Sequence, residues 1–369
     1  MVTIYKSDNY EEIYPIIVQH FEQHNIKSEL NSDMHVVIKP NLVTDKESVF
    51  SVTTNPLLVF AVIKYLNSIG VKKITIADCP GGSILLFSKM IDVFEKCGYS
   101  FLENYTKLNC NFESKDIVCN NDFKEKSFNI INVITDADYV INVPKLKTHN
   151  LTCITAGVKN LFGCIPGLKK PEFHAKYPKI EDFSNMLVEL AATVKPNFTI
   201  VDGIDIMEGN GPTNGKKRYL GLTFASKDVF LLDKYIVELL KIPKDLVCTI
   251  KAAEKKGLGT KKIKVVGDTD FKLGEPIVLP EYIKSDNFYG KLSARLRTLT
   301  YKLSDVIFRK YPQMNEKCTQ CTKCVITCPK EALSVIEERI VLDSDKCIGC
   351  FCCDECCPNN AIDIKKKLR

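Results

Sequence analysis

The pattern of apolar and polar positions predicts strands and helices that alternate along most of the chain. Continuous apolar runs at 34–39, 73–78 and 139–143 are typical of buried strands, and 56–68, which begins at Pro56, is predicted to be a helix. Because strand, helix and strand in this order favour a parallel unit, we predict an α/β fold with a mostly parallel sheet.

The same alternation continues toward the C-terminus. It predicts a helix at about 84–97 that ends at Gly98, a helix at 181–194, a strand at 195–203, a strand at 220–225, a helix at 228–240 that begins near Asp228, and a strand at 263–266. These elements complete a large N-terminal α/β domain, which we place at residues 1–285.

Polar side chains are crowded immediately after the predicted strand 139–143. They are Lys145, Lys147, His149, Thr152, Thr155, Lys159 and Asn160. In open α/β sheets ligands bind at the carboxyl ends of strands, so we expect a site for an anionic ligand here, with lysines as charge partners and backbone amides from a helix after Thr155. His149, Lys145 and Lys159 are the candidate catalytic residues, with His149 or a lysine as proton donor. The alternative is an ordinary solvated loop.

Two glycine-rich segments are further candidates for ligand binding. C-P-G-G-S at 79–83 follows a predicted strand and precedes a predicted helix, a position where an anion can bind, although it also suits a plain turn. The segment 209–215, G-N-G-P-T-N-G, either closes over a ligand or only turns the chain. With Lys147 and Asn160 from the polar stretch, the candidate ligand-binding residues are Gly81, Gly82, Gly209 and Gly211.

Composition and charge exclude several classes of protein. The net charge of +6 is modest, Trp is absent, and basic and aromatic residues are not interleaved, so we expect no nucleic-acid partner. No apolar run reaches the roughly 18 residues of a spanning helix, and the N-terminus lacks the pattern of a signal peptide. The scattered cysteines before residue 318 suit reduced thiols. We therefore expect a cytoplasmic protein without a transmembrane segment.

Ten of the 17 cysteines fall between 318 and 357, in two runs of the same spacing. Each run reads C-x2-C-x2-C-x3-C-P, first with Cys318, Cys321, Cys324 and Cys328, then with Cys347, Cys350, Cys353 and Cys357. Pairs of C-x2-C also build zinc sites, but a zinc ribbon needs only two such pairs. The two runs resemble bacterial ferredoxins that hold two 4Fe-4S clusters.

This resemblance implies a crossed set of ligands. In the family pattern the fourth cysteine of each run binds the other cluster. It implies Cys318, Cys321, Cys324 and Cys357 for one cluster, and Cys347, Cys350, Cys353 and Cys328 for the second. Cys352 and Cys356 are extra; Pro358 favours Cys357 as the last ligand, while a swap of ligands stays open. Residues 313–369 are thus expected to form a small α+β, ferredoxin-like domain.

Six short motifs in the remaining chain resemble the family called domain of unknown function 362. They are K-P-N-L-V at 39–43, T-T-N-P at 53–56, A-D-C-P-G-G at 77–82, P-K-L-K-T-H at 144–149, G-V-K-N-L-F-G at 157–163 and E-G-N-G-P at 208–212. Members of this family often have a C-terminal pair of 4Fe-4S motifs. The domain is distantly similar to lactate racemases with a nickel cofactor. The closest candidate histidines, His149 and His174, are both expected in loops, so no nickel site is predicted.

A basic amphipathic segment joins the two predicted domains at 286–312. Leu292, Leu296, Leu299, Leu303 and Val306 recur at helical spacing within 289–310, and Lys and Arg occupy the other positions. We predict a packed linker helix; contact with a membrane surface or an acidic redox partner is the alternative.

Together these features favour an iron-sulfur redox protein. We expect electron transfer through two 4Fe-4S clusters to a small anionic substrate or ligand in the α/β domain, with a low-potential electron donor or acceptor protein as partner. The alternative is an electron carrier or binding protein without its own catalysis, and the sequence does not decide whether the chain is an enzyme.

Overall fold

The structure is a computed structural model that describes residues 1–43, 47–81, 89–280 and 308–368. Strands of the first three ranges are β1 (Val2–Lys6), β2 (His35–Pro40), β3 (Lys73–Ile76), β4 (Lys107–Leu108), β5 (Ser114–Val118), β6 (Ser127–Ile131), β7 (Tyr139–Val143), β8 (Lys145–His149), β9 (Cys153–Thr155), β10 (Phe198–Glu208), β11 (Lys216–Ser226) and β12 (Val265–Gly267).

Most of these strands form one sheet in the order β12-β1-β11-β10-β7-β2-β3-β4, with β8 beside β10 and β9 beside β8. The pairs β2–β3, β2–β7, β3–β4, β7–β10, β8–β10 and β1–β12 are parallel, whereas β1–β11, β10–β11 and β8–β9 are antiparallel. The predicted α/β fold with a mostly parallel sheet is confirmed. β5 and β6 form a separate antiparallel pair.

Helices connect the strands. They are α1 (Ile13–Gln23), α2 (Pro56–Ser68), α3 (Met90–Lys96), α4 (Asn132–Thr135), α5 (Gly157–Asn160), α6 (Lys170–Lys176), α7 (Ile180–Val194), α8 (Val229–Leu239) and α9 (Cys248–Lys255). Short 3-10 helices occur at Ile26–Glu29, Ser48–Phe50, Ser100–Asn104, Leu161–Cys164, Gly167–Lys169 and Lys244–Leu246. Side-chain caps fix two helix starts that were predicted, because Asn55 accepts from Leu57 N and Asp228 accepts from Phe230 N.

Apolar residues cover both faces of the sheet. On β2, Val36 and Ile38 belong to a core with α1 and α2, while Val37 between them belongs to a second core that contains Phe183 and Leu187 of α7. Successive residues of a strand point to opposite faces, so helices cover β2 on both sides. This burial explains the continuous apolar run at 34–39, and it leaves the carboxyl ends of the strands as the edge where polar groups collect.

Residues 308–368, called the cysteine module below, are small and rich in turns. They contain β13 (Phe308–Met314), α10 (Lys323–Thr327), β14 (Leu333–Ile336), β15 (Arg339–Leu342), α11 (Cys352–Glu355) and β16 (Ile362–Leu368). β13 pairs with β16 and β14 with β15, both antiparallel. A small core of Leu333, Cys353, Cys357, Ala361 and Ile362 holds these elements together.

Several predicted elements differ from the structure. The polar stretch after Val143 is not a solvated loop: it forms the buried strands β8 and β9, because β8 pairs with β10 and β9 pairs with β8. His149 accordingly ends a strand and His174 lies in α6, so neither is in a loop. β10 and β11 extend beyond their predicted ends.

Two predicted helices fall partly on residues outside the described ranges. Residues 82–88 and 281–307 lie outside them, so the first part of the predicted helix at 84–97 and nearly all of the predicted linker helix at 289–310 are not described. Residues 308–310 belong to β13 and not to a helix. No helix in the described ranges is long and apolar enough to cross a membrane.

Candidate functional site

The cysteine module contains two cavities, each lined by four of the predicted ligands. Cys318, Cys321, Cys324 and Cys357 line one cavity, which has an empty volume of about 340 Å³. Cys328, Cys347, Cys350 and Cys353 line the other, also of about 340 Å³. The fold therefore brings the fourth cysteine of each run to the three leading cysteines of the other run.

The two cysteine loops have the same backbone conformation. Gln320 and Thr322 in the first loop have positive φ, as do the equivalent Gly349 and Phe351 in the second. The fourth cysteines are also equivalent, since Cys328 Sγ accepts a hydrogen bond from Ala332 N and Cys357 Sγ accepts one from Ala361 N, both at 3.2 Å. Such N–H···S bonds stabilise negative charge on sulfur and are among the contacts that set the potential of an iron-sulfur cluster.

Each cavity presents four cysteine side chains, the number of thiolates that a cubane cluster takes. In the described ranges no three His, Cys, Asp or Glu side chains converge as ligands of one metal ion. The four cysteines of each set instead stand on the walls of a cavity otherwise formed mainly by apolar and uncharged side chains, such as Ile340 and Ile362 in the first. A cubane requires this arrangement, because each of its four irons takes a different thiolate.

A third cavity lies between the cysteine module and the α/β domain, and we call it the cleft. Its empty volume, including space open to solvent, is about 790 Å³. It is lined from the α/β domain by Asn41, Val43, Asp78, Cys79, Gly81, Lys147, Thr155, Lys159, Asn160, Phe162, Gly163, Lys170, Pro171, His174 and Pro212, and from the module by Thr327, Cys352, Glu355 and Cys356. The cleft thus lies where β2, β3 and β9 end, the expected edge of the sheet.

Helix α11 forms the roof of the cleft and has two functional faces. Residues four apart lie on the same side of a helix. Cys352 and Cys356 line the cleft, whereas Cys353 and Cys357 face the two cysteine cavities. Cys352 borders both the cleft and the cavity of Cys350. One short helix therefore separates the cleft from the predicted cluster ligands.

Hydrogen bonds attach this roof to the α/β domain. The buried carboxylate of Asp354 accepts from Asn150 Nδ2 at 2.8 Å and from Asn214 Nδ2 at 2.7 Å. Glu355 Oε1 lies 3.2 Å from His149 Nε2, although the contact is not well directed for a hydrogen bond. The position of α11 over the cleft is therefore fixed by side chains from both parts of the chain.

The hydrogen bonds of His149 decide its tautomer. Its Nδ1 accepts from the backbone N–H groups of Leu151 at 2.9 Å and Thr152 at 3.3 Å, so the proton resides on Nε2 and points toward Glu355. Burial lowers the pKa of His149 to about 4. Although burial alone would raise the pKa of Glu355, His149 and the charge of Lys159 hold it well below its usual range. A neutral imidazole therefore faces an ionised carboxylate.

Three lysines reach the cleft. Lys147 Nζ donates to Asn41 Oδ1 at 2.8 Å and to Val52 O at 2.6 Å. Lys170 Nζ donates to the carbonyl groups of Cys79 and Pro80. Within the described ranges the ammonium group of Lys159 has no hydrogen-bond or ion-pair partner.

The structure brings some predicted residues together and separates others. Four of them line the cleft: Gly81, Lys147, Lys159 and Asn160. His149 lies next to the cleft, where it faces Glu355. Lys145 is elsewhere: it is fully buried, and its Nζ lies 3.0 Å from Asp202 Oδ2 and 2.9 Å from Tyr10 Oη. Gly82 lies outside the described ranges.

Gly209 and Gly211 do not line the cleft and contact other parts of the α/β domain. Gly209 N donates to Val278 O at 2.6 Å, and Gly211 N donates to Gly209 O at 2.8 Å. A Cβ at position 211 would overlap the backbone carbonyl of Thr148, so the loop needs glycine there for close packing. The loop reaches the cleft through Pro212 only, among the residues that line it.

The backbone amides expected to bind an anion have other acceptors. Gly157 N and Val158 N, at the start of α5, donate to the carboxylate of Asp233 at 2.7 and 3.0 Å. Gly81 N donates to Val43 O at 3.3 Å. The expectation of an amide-lined anion site at α5 is therefore wrong, and the cleft offers side chains in place of amides.

Sequence reasoning missed several residues of the cleft. Asn41 is held by Asn160, whose Oδ1 accepts from Asn41 Nδ2 at 2.8 Å, and it orients Lys147 in turn. Asn41 does occur in the motif K-P-N-L-V, so a signal existed. Lys170 and Glu355 had none, because an isolated lysine and a glutamate between cysteines look like ordinary surface residues.

Comparison with known proteins places the chain among its relatives. The family model "Domain of unknown function (DUF362)" matches residues 36–238. The thylakoid-associated protein sll1697 of Synechocystis sp. (strain ATCC 27184 / PCC 6803 / Kazusa) is 35% identical over 277 residues, which cover 74% of this chain and 80% of that protein.

A solved structure with partial similarity is the lactate racemase apoprotein from Thermoanaerobacterium thermosaccharolyticum. It aligns with a TM-score of 0.40 and 15% sequence identity, over 64% of this chain and 56% of that one. The chain thus spans just over half the length of that structure. The family match, together with the 35% identity to the cyanobacterial protein, shows that this chain belongs to the domain of unknown function 362 family.

Proposed function

We propose that the chain is an iron-sulfur redox protein that holds two 4Fe-4S clusters and acts as a reductase on a ligand bound in the cleft. When bound, such clusters supply one-electron transfer. The observation that supports the proposal most is the grouping of cysteines: two cavities of equal volume, each lined by three cysteines of one run and the fourth of the other.

The chain's own residues would act in two places. In the module, Cys318, Cys321, Cys324 and Cys357 would hold one cluster, and Cys347, Cys350, Cys353 and Cys328 the other. In the cleft, Lys147 and Lys159 would bind and orient an anionic ligand, and α11 would keep water out from above. His149 would face Glu355 at the edge of the cleft as a neutral imidazole. Lys145 would support the fold and not the reaction, because it lies in a separate buried network.

An electron carrier without catalysis is the second candidate. The cavity of Cys318 is compatible with it, because Cys321 is exposed and Cys318 and Cys324 are only partly buried, so a partner protein could approach this side. A reductase would use the same exposed side for its low-potential donor protein. The two candidates therefore differ only in whether the cleft holds a reacting ligand.

The first prediction concerns the cluster ligands. Protein purified without oxygen should contain about eight iron and eight sulfide per chain, which native mass spectrometry and chemical assay would measure. Cys357→Ser should lose about half of the iron, because it removes one ligand of the set with Cys318. Cys356→Ser, its neighbour, should keep all of it, because Cys356 faces the cleft.

Other outcomes would change the proposal in defined ways. Iron loss from Cys356→Ser but not from Cys357→Ser would establish the swapped ligand, and absence of iron after careful anaerobic reconstitution would refute the redox function. An additional bound small molecule in the native mass would favour the reductase. Two clusters with nothing else, together with unchanged electron transfer to a partner in Lys159→Gln, would favour the carrier.

A further inference from the structure

Among the described residues, the lysines whose ammonium groups lie inside the fold or in the cleft form two groups. Lys39 and Lys145 are fully buried, and each ammonium group lies against a carboxylate: Lys39 Nζ is 2.7 Å from Asp78 Oδ1, and Lys145 Nζ is 3.0 Å from Asp202 Oδ2. This is the usual state of a buried charge, because an unpaired ion in a protein interior is very unfavourable. Lys39 and Lys145 are therefore structural lysines, each paired with a buried carboxylate.

The three lysines of the cleft have no such partner. Lys147 and Lys170, which are 2% and 8% exposed, contact only neutral oxygen atoms, and Lys159 contacts none among the described residues. Each ammonium group has three donors, so Lys147 and Lys170 keep one donor beyond the two contacts of each. All three side chains line the same cavity.

The carboxylates near the cleft do not balance these charges. Asp78 is already engaged by Lys39 Nζ and by Leu42 N. Glu355 is the other acid among the described residues that line the cleft, and it faces His149. Three lysines face one carboxylate that is not paired with a lysine, so in their protonated forms about two of them have no counter-charge in the cleft.

Thr155 provides a second, independent observation. Its side chain is 2% exposed and lines the cleft, yet its Oγ1 has no hydrogen-bond partner among the described residues. Buried hydroxyl groups are nearly always hydrogen-bonded, so an unpaired one at a cavity wall is free to bond a ligand atom or a water molecule in the cavity. Thr155 precedes α5, which contains Lys159, so both can reach the same ligand group.

We infer that the cleft is a binding site for a doubly charged oxyanion, a phosphoryl group or a dicarboxylate, held by Lys147, Lys159 and Lys170 with a hydrogen bond from Thr155. As the identity of a substrate this rests on the proposed redox function, whereas binding itself does not. Phe162, Val43 and the two prolines Pro171 and Pro212 give the remaining walls apolar surface. The ligand therefore has a small carbon part beside its charged group.

The protonation of the lysines supports this arrangement. Burial lowers the pKa of Lys147 well below its ordinary value, and the charge of Lys159 lowers it further; burial also lowers the pKa of Lys159 and of Lys170. An anion near these groups favours their charged forms. Ligand binding should therefore take up protons from solution.

Calorimetric titration of the anaerobically purified, iron-loaded full chain tests the inference. The probes are inorganic phosphate, succinate and acetate, at pH 7.5 and fixed ionic strength. At least one of the first two should bind about tenfold more tightly than acetate. Tighter phosphate binding would assign a phosphoryl ligand, tighter succinate binding a dicarboxylate, and equal affinity a general dianion site. Absence of binding, or no preference over acetate, would overturn the inference.

Matched variants separate a built site from general attraction. Lys159→Gln and Thr155→Val should each weaken dianion binding by about tenfold, whereas Lys159→Arg, which keeps the charge, should weaken it less. Lys72→Gln removes the same charge at an exposed position outside the cleft and should leave the affinity unchanged. Equal losses in Lys72→Gln and Lys159→Gln would show non-specific attraction and refute the site.

Iron content measured on the same samples keeps the two proposals apart. It also reports whether each variant has kept its module intact. Clusters without dianion binding would refute the inference and leave the redox function standing. Dianion binding by protein that holds no clusters would support the inference and refute the redox function.

Discussion

At the scale of single residues, structural lysines and binding lysines differ in the groups that contact their ammonium groups. Lys145 belongs to a closed network in which Asp202 also accepts from Tyr10 Oη at 2.8 Å and from Asn55 N at 3.0 Å. This network joins the segment before α1, the N-cap of α2, β8 and β10. Lys159 makes no such contacts among the described residues; its charge favours the ionised form of nearby Glu355, but that carboxylate also faces His149.

The two lysines should therefore respond oppositely to the same substitution. Lys145→Met should lower the free energy of unfolding by roughly 3–5 kcal/mol, because it leaves the Asp202 carboxylate buried without a cation. Lys159→Met should change it by less than about 0.5 kcal/mol, or raise it. Urea unfolding of iron-loaded protein measures both values. A Lys145→Met protein as stable as the wild type would contradict the structural role assigned to this residue.

At the scale of elements, α11 connects the module to the site. It is only four residues long, so its own backbone hydrogen bonds cannot hold it in place. Its position depends on Asp354, which is 2% exposed and accepts two side-chain hydrogen bonds from the α/β domain. Asn150 and Asp354 are 204 positions apart in the sequence, so this contact joins distant parts of the chain.

Asp354→Ala tests this attachment. It leaves the amide groups of Asn150 and Asn214 without their acceptor, so the roof should detach more often. We expect amide hydrogen exchange in α11 and in the turn between β8 and β9 to become about tenfold faster, with iron content unchanged. Asp345→Ala, an exposed carboxylate of the same module, is the control. Equal protection in both variants would show that Asp354 does not hold the roof.

The contrast between elements also explains how much the sequence could predict. α2, α8 and β7 have caps or apolar runs whose cause is local, so the pattern located them to within a residue or two. β8 reads K-L-K-T-H and is buried only because partners distant in sequence accept its polar groups. The resemblance to two-cluster ferredoxins implied the two crossed sets of cysteines, and each set lines one cavity. The roof over the cleft depends on contacts between distant residues, which local sequence does not reveal.

At the scale of the whole molecule, the two parts of the chain differ in what stabilises them. The α/β domain has extensive apolar cores on both faces of its sheet. The module's buried core is small, and two of its members are the cysteines Cys353 and Cys357. A segment with so small an apolar core gains little stability from burial, so a metal centre would contribute much of its folding free energy.

Removal of iron should therefore unfold the cysteine module and leave the α/β domain folded. After treatment with a chelator and reductant, amides of β13, β14, β15 and β16 should exchange at rates close to those of an unfolded chain. Amides of β2 and β7 should keep their protection. Hydrogen exchange read by mass spectrometry compares the two parts in one sample. A module that stays protected without iron would show that its fold does not depend on clusters.

The arrangement of α11 limits which modules this domain can use. Any two-cluster segment with the same cysteine spacing would supply the eight predicted ligands, but Asp354 and Glu355 stand between those ligands and contact Asn150, Asn214 and His149. A chimera with a foreign ferredoxin segment would thus keep its cysteine sites and lose its fit to the α/β domain. Compatibility between the two halves is encoded in the residues that the cysteine motif leaves unspecified.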